Sequence, residues 1–282
     1  MTTAAVIVAA GRGERLGGGL PKQFREVGGV PLVVRAAWAF DRSPAMDRLL
    51  VALPQEHLDY AAREIFGPLE WRLRPQLLAG GAERSDSVRR CLEALDDAVE
   101  YVLIHDGARP LVSSALVSRL AAEVKLSGAV VAAVREKNTL KRVSREGLVI
   151  ETVDRREIWE AQTPQAFKLS LLREAHARAG LPTVQEPRRG EDAPRLLGGP
   201  SAADATDDAV LVERLGHAVR IIEGDYANLK VTTELDLELA NCLVSMLTPG
   251  GSGIQERSTV ASLLALQGEG QPAAPRGGSG RR

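Results

Sequence analysis

The chain has 282 residues, with 36 basic and 37 acidic side chains for a formal charge of −1, and 44% of it is hydrophobic. Such a chain can bury one large core, or a core with a small appendage, and it is neither disordered nor fibrous. The balanced charge excludes a general nucleic-acid binder but leaves room for a small-anion site, and the isolated Cys91 and Cys242 give neither a disulfide scaffold nor a structural zinc site.

The first residues, MTTAAVIVAAG, lack the basic start and cleavage pattern of a signal peptide. Arg or Asp interrupts every apolar run before the roughly 18 residues that a membrane span needs. A soluble, cytoplasmic protein with no membrane partner is expected.

In chain order, short apolar runs of strand type alternate with longer stretches of helical period: AAVIVAA (4–10), PLVVRAAWAF (31–40), RLLVAL (48–53) and QEHLDYAAREIF (55–66). The alternation continues through YVLIH (101–105), SALVSRLAAEVKL (114–126) and AVVAAV (129–134). This pattern predicts an α/β fold, a Rossmann-like and mostly parallel sheet with helices on both faces. From 138 to 162 the runs TLKRV and LVIETV, joined by the turn SREG, predict a β-hairpin arm projecting from the sheet. A helix over 170–179 precedes a Pro/Gly-rich loop insertion at 182–204. A helix over 207–215, a strand over 219–224 and a helix over 233–247 close a domain assigned to 1–248. The segment 249–282, with eight Gly and three Pro, is expected to be disordered apart from a helical turn at STVASLLAL.

The chemistry concentrates at the first strand-to-helix junction, AAGRGERLGGGLPKQF (9–24). Glycines there let the backbone approach a ligand and expose amide donors, as a phosphate cradle requires. The spacing is neither the dinucleotide fingerprint nor GxxxxGK[ST], which disfavours NAD binding and P-loop hydrolysis. Arg12, Arg15 and Lys22 share this loop, and three cations over glycines can neutralise a triphosphate. The alternative is an ordinary solvated loop.

AAGRGERLG followed by PKQF resembles the signature of sugar-phosphate nucleotidyltransferases, and within them that of the 2-C-methyl-D-erythritol 4-phosphate cytidylyltransferases of the non-mevalonate isoprenoid route. Four further segments resemble that family's motifs in order: GGAERSDSV (80–88), HDGARP (105–110), TPQ (163–165) and TDD (206–208). NLKVT (228–232) resembles a fifth. Two positions depart from the pattern. Gly107 stands where alanine is usual, which is expected to loosen the loop beside Asp106, and Ala227 precedes Asn228 where an acid is sometimes found.

The resemblance implies transfer of CMP from CTP to a polyol phosphate, with pyrophosphate leaving. In-line attack by a phosphate oxygen needs no general base, so charge and alignment are the protein's task. Arg15 and Lys22 are assigned to the charge on the α-phosphate. Arg155 and Lys230 are assigned by resemblance to the acceptor phosphate. Asp106, after the strand YVLIH, is the carboxylate nearest a triphosphate-bound Mg²⁺ and also a substrate contact. Ala9, Ala10, Gly11 and Gly13 line the nucleotide, with Gly81 and Ser87 reading the cytosine edge. Ser87 alone also reads as a common helix-start hydroxyl. Arg109 is either a structural ion-pair residue or part of the methylerythritol pocket, which the resemblance also gives Thr163. Thr139 and Lys141 are either a solvated strand face or, by resemblance for Thr139, a substrate contact made from the neighbouring subunit of a homodimer.

Three histidines, His57, His176 and His217, read as solvated or capping, and Asp208 as a helix N-terminal acid. His105 is expected to orient the loop at Asp106. A ribitol 5-phosphate cytidylyltransferase would share the triphosphate loop and differ in acceptor pocket and arm. A catalytically silent nucleotide-binding module would keep the loop without needing Arg15, Lys22, Asp106 and Lys230 together.

Overall fold

The fold is described from a computed structural model for residues 1–11, 21–179 and 207–247. Arg12, Gly13 and Arg15, Thr206, the 182–204 insertion and the 249–282 segment lie outside the described residues.

The first strands are β1 (Thr2–Val8), β2 (Glu26–Val27), β3 (Val30–Pro31), β4 (Arg48–Leu53), β5 (Gln76–Ala79) and β6 (Val99–Asp106). They are followed by β7 (Ala129–Arg135), β8 (Lys141–Val143), β9 (Val149–Thr152), β10 (Trp159–Lys168) and β11 (Arg220–Glu223). The helices are α1 (Leu32–Asp41), α2 (Leu58–Tyr60, continued by a π-helical turn Ala61–Phe66), α3 (Arg84–Ala94) and α4 (Ser114–Ser127). The last three are α5 (Leu169–Arg178), α6 (Asp208–Arg214) and α7 (Glu234–Leu247).

The central sheet has seven strands in the order β11-β7-β10-β6-β1-β4-β5. All pairs are parallel except those of β10, which runs against both β6 and β7. Alternating side chains explain why β1 reads as an unbroken apolar run. Ala5 and Ile7 enter the core under α1 and α4, while Ala4 and Val6 enter the one under α3, α5 and α6. A strand covered on both faces has no polar side to show. The chain leaves β1 towards β4 on one side and returns to place β6 on the other, so the crevice between β1 and β6 is a topological switch point, where open α/β sheets hold ligands. α7 closes this end by laying Leu237, Ala240 and Val244 against Val27, Leu32 and Val231.

β8 and β9 form a separate two-stranded ribbon, as the hairpin reading requires. The arm is shorter than the sequence reading of 138–162. Trp159, Glu160 and Ala161 pair with Arg135, Val134 and Ala133, so 159–162 already belong to the central sheet. β5, which the sequence reading also lacks, pairs along β4 at the sheet edge. Val143, Leu148, Val149 and Ile150 on the arm are exposed. Among the described residues, no helix is long and apolar enough to cross a membrane.

Candidate active site

The carboxyl ends of β1, β5 and β6 meet at a cavity of about 700 Å³. Ala9, Ala10 and Gly11 form one wall, Gly81 and Ser87 a second, and Asp106, Lys22 and Lys230 also line it.

The wall after β5 is built by close approach. A Cβ on Gly80 would sit 2.1 Å from Ala10 Cβ and 2.8 Å from Ser87 Oγ, and one on Gly81 would sit 2.1 Å from Asp86 Cβ. Only glycine lets this turn press so closely on the β1 loop and on α3. Glu83 and Asp86 form a capping box at the start of α3. Ser87 Oγ accepts from Gly81 N–H at 2.9 Å and donates to the Glu83 carbonyl at 3.1 Å. The Ser87 hydroxyl thus braces the turn on which Gly81 sits.

Asp106 ends β6 between two cations. Lys230 Nζ lies 2.7 Å from Oδ2, and Arg84 Nε donates to Oδ1 at 3.0 Å. Burial, the largest influence, pushes the Asp106 carboxyl up, but Arg84 and Lys230 together outweigh it and hold the group well below the usual carboxylate range. Arg84 also reaches Asp208, donating from Nη1 to Oδ2 at 2.7 Å, and His176 Nε2 lies 3.1 Å from Asp208 Oδ1. Burial penalises the Asp208 carboxylate most, yet Arg84 and His176 hold it ionised, below its ordinary value. These contacts extend one sequence reading and correct another. Asp208 is the first residue of α6, as the helix-start reading has it, and is also a buried anchor for Arg84, while Asp207 is the α6 cap, accepting from Val210 N–H at 3.1 Å. His176 is buried against Asp208 and not solvated.

Behind Asp106 runs a buried polar scaffold. Thr163 Oγ1 accepts from the Asp106 N–H and contacts His105 Nδ1, both at 3.0 Å, while His105 Nε2 lies 3.1 Å from the Arg109 carbonyl. A carbonyl only accepts, so Nε2 carries the proton and Nδ1 takes the Thr163 hydroxyl proton. Burial is the main influence on His105 and lowers its pKa to about 4, keeping the ring neutral at pH 7. Arg109 Nη1 donates to the Asn228 carbonyl at 2.7 Å, and Asn228 Nδ2 donates to the Thr163 carbonyl at 2.8 Å. Gln165 Nε2 donates to Asp207 Oδ2 at 2.8 Å and its carbonyl accepts from Ala209 N–H at 3.1 Å, fixing α6 to β10. The five later motifs therefore interlock around the end of β6. Gly107 does not loosen this loop. Its N–H bonds the Val8 carbonyl at 2.9 Å, and a Cβ there would meet Ala9 Cβ at 2.8 Å.

Of the predicted residues, Ala9, Ala10, Gly11, Lys22, Gly81, Ser87, Asp106 and Lys230 come together at the cavity. Gly13 and Arg15 lie outside the described residues. Arg109 and Thr163 are buried behind the cavity, and Thr139 and Arg155 are exposed on the arm side, where Arg155 donates to the Lys137 carbonyl. The sequence reading gave Arg84 no role although it lies within a quoted motif. Its helical phase was the available signal, because Arg84 precedes the buried Val88 and Cys91 on the inward face of α3.

The chain matches the family model for 2-C-methyl-D-erythritol 4-phosphate cytidylyltransferase over residues 3–246. It belongs to that family. A cytidylyltransferase of this name from Syntrophotalea carbinolica is 40% identical over 251 residues, covering 89% of this chain and 98% of the relative. One from Geobacillus kaustophilus is 42% identical over 250 residues, covering 87% and 98%. The crystal structure of the enzyme from Thermus thermophilus aligns with a TM-score of 0.64 at 34% identity, over 86% of this chain and 98% of that one. The 4-diphosphocytidyl-2C-methyl-D-erythritol synthase of Anaerococcus prevotii aligns with a TM-score of 0.70 at 26% identity, over 86% and 96%. Like them, the chain is a cytidylyltransferase with a mostly parallel sheet flanked by helices.

A divalent ion has little protein to bind among the described residues, where no group of three or more His, Cys, Asp or Glu could hold one. Mg²⁺ needs few protein ligands when it arrives on phosphates, and one carboxylate at the cavity wall is enough. Asp106 is a carboxylate on that wall, with Oδ1 facing Arg84 and Oδ2 facing Lys230.

Proposed function

We propose that the enzyme transfers CMP from CTP to 2-C-methyl-D-erythritol 4-phosphate, releasing pyrophosphate and CDP-methylerythritol, as a step of non-mevalonate isoprenoid synthesis. The observation that carries this reading is the cation-clamped Asp106 at the mouth of a glycine-walled cavity on the switch-point edge of the sheet. CTP lies along Ala9, Ala10, Gly11 and Gly13, with its base at Gly81 and Ser87. Gly81 sits on a turn that Ser87 already braces, so the base is read by a pre-organised edge.

Lys22 and Arg15 offset the charge that builds at the α-phosphate, and Arg155 and Lys230 hold the acceptor phosphate. Lys230 is 44% exposed while Asp106 is 10% exposed, so Lys230 is the partner free to turn towards substrate. Arg84, anchored by Asp208, keeps Asp106 in place when it does. Asp106 would hold Mg²⁺ bound to the triphosphate, an ion that offsets phosphate charge. Arg109 and Thr163 shape the acceptor pocket from behind. Thr139 reaches the site of the partner subunit in a homodimer formed through the arm, whose exposed Val143, Leu148, Val149 and Ile150 support such a contact. A cytoplasmic location belongs to this proposal, since both substrates are charged and do not cross bilayers unaided.

Pyrophosphate release tests the reading, with CTP and Mg²⁺ and either methylerythritol 4-phosphate or ribitol 5-phosphate. Turnover with the first acceptor is expected to dominate. Preference for ribitol 5-phosphate would overturn the acceptor assignment, and CTP binding without any pyrophosphate would overturn catalysis.

A further inference from the structure

Gln23 lines the cavity and is only 5% exposed, and its Nε2 is buried without a hydrogen-bond partner among the described residues. The turn that carries it, Lys22–Phe24, is held firmly. Phe24 is buried edge-on to His57 and Tyr60, with ring centroids 5.8 and 5.5 Å apart. Arg25 N–H donates to the Lys22 carbonyl at 3.1 Å, and the Arg25 carbonyl accepts from Leu32 N–H at 2.9 Å. A buried donor left unmet carries its full desolvation cost, so one on the wall of a ligand cavity marks where a ligand oxygen completes it.

The wall around Gln23 lies on the β6 side of the cavity. Its turn packs on α1, whose first residue, Leu32, also lines the cavity and clusters with Val231. Val231 N–H in turn donates to the carbonyl of Ala108, just beyond β6, at 2.8 Å. The Gly80–Gly81 wall follows β5, and β1 and β4 separate β5 from β6 in the sheet. Gln23 and Lys230 therefore share the end away from the wall assigned to the base. Lys22, Arg84 and Lys230 bring cations to the cavity, which suit phosphate oxygens, whereas a neutral hydroxyl calls for a neutral partner. Three neutral polar side chains line the cavity among the described residues, and two are spent. Ser87 Oγ donates to the Glu83 carbonyl at 3.1 Å, and Thr232 Oγ1 donates to Asp236 Oδ2 at 2.7 Å. That leaves Gln23, whose carboxamide offers a hydroxyl both a donor and an acceptor.

We propose that Gln23 reads the polyol of the acceptor, donating from Nε2 to one of its hydroxyl oxygens. The inference rests on the proposed transfer of CMP to a polyol phosphate. The ribose of the nucleotide carries hydroxyls of the same chemistry. The acceptor is favoured because Gln23 shares its end of the cavity with Lys230, assigned to the acceptor phosphate, while Arg109 and Thr163 stand behind the lining and leave the polyol without a neutral side-chain partner there.

Gln23→Met keeps an unbranched side chain of similar length and removes the amide. If Gln23 served the fold, this change would lower Tm, whereas losing an unmet buried donor leaves Tm unchanged or raises it. Pyrophosphate release is measured with CTP and whichever of methylerythritol 4-phosphate and ribitol 5-phosphate the parent turns over better. KM for the acceptor is expected to rise about tenfold in the variant, with KM for CTP within about twofold of the parent and Tm at or above it. An unchanged acceptor KM, or a Tm lower by several degrees, would overturn the assignment. A rise in KM for CTP alone would give Gln23 to the ribose and overturn it as well. Because the acceptor is established first in the parent, a preference for ribitol 5-phosphate overturns the methylerythritol reading and leaves the Gln23 contact to be decided by the variant. A parent without turnover overturns both.

Discussion

Replacing Arg84 by alanine removes the one side chain among the described residues that joins Asp106 to Asp208. Asp208 is 1% exposed and, among the described residues, keeps only His176, at 3.1 Å, as a polar side-chain partner. Breaking a buried pair by removing one member costs about 3–5 kcal/mol. Arg84 is itself 27% exposed, so water can reach part of the vacated space, which places the expected loss near the lower end, about 3 kcal/mol at pH 7. For a domain of this size that is a fall in Tm of about 6–12 °C. The loss is also pH-dependent. In the parent, folding favours the ionised forms of Asp106 and Asp208, so their stabilisation is complete above the unfolded value of about 3.9 and fades as pH falls through their lower folded values. Without Arg84, burial dominates at Asp208 and turns its shift upward, and its contribution is then lost as pH rises through the raised folded value. The gap between parent and variant is therefore widest at pH 7 and narrows towards pH 4. Urea unfolding followed by circular dichroism at several pH values measures it. A gap below about 1 kcal/mol, or one that stays constant from pH 7 to pH 4.5, would refute the buried clamp.

Lys22→Ala is expected to lower kcat for pyrophosphate release by about two orders of magnitude, with a smaller effect on CTP binding, and an unchanged kcat would remove Lys22 from the chemistry. Gly80→Ala forces a Cβ to within 2.1 Å of Ala10 Cβ, so the turn must shift, and KM for CTP should rise more than about tenfold alongside a fall in Tm of several degrees. A parental KM would show that this wall does not touch the nucleotide. Mixing subunits disabled at Thr139 with subunits disabled at Lys22 should restore activity in the heterodimer, where one of the two composite sites is intact. Confirmed heterodimers without activity would place Thr139 outside the shared site.

The sheet was legible because its parallel strands are buried on both faces, and runs such as AAVIV and YVLIH stand out as unbroken apolar stretches. The cavity wall was legible because close backbone approach leaves glycine as its trace, at Gly80 and Gly81. β10 was not. Trp159–Lys168 contains Pro164 and polar residues that bond to the scaffold, so neither alternation nor an apolar run announces it. Asp208 was equally hidden, since an acid at the start of a helix looks like a cap and its partner Arg84 stands 124 positions away. Long-range pairing of this kind depends on which strand neighbours which, a property that local periodicity does not carry.

The reversed direction of β10 gives the arm a mechanical connection to the pocket. The six parallel strands end at the ligand edge, and β10 begins there, leaving the arm at Trp159 and passing Thr163 beside Asp106. A parallel strand in the same slot would deliver the arm to the far edge, about 25 Å away for a strand of eight residues. Here the path from the arm to the hydroxyl that holds the Asp106 amide is four residues of β10, the first three paired with β7 before the register shifts ahead of Gln165. Whatever grips the ribbon therefore pulls on backbone that runs straight to Thr163.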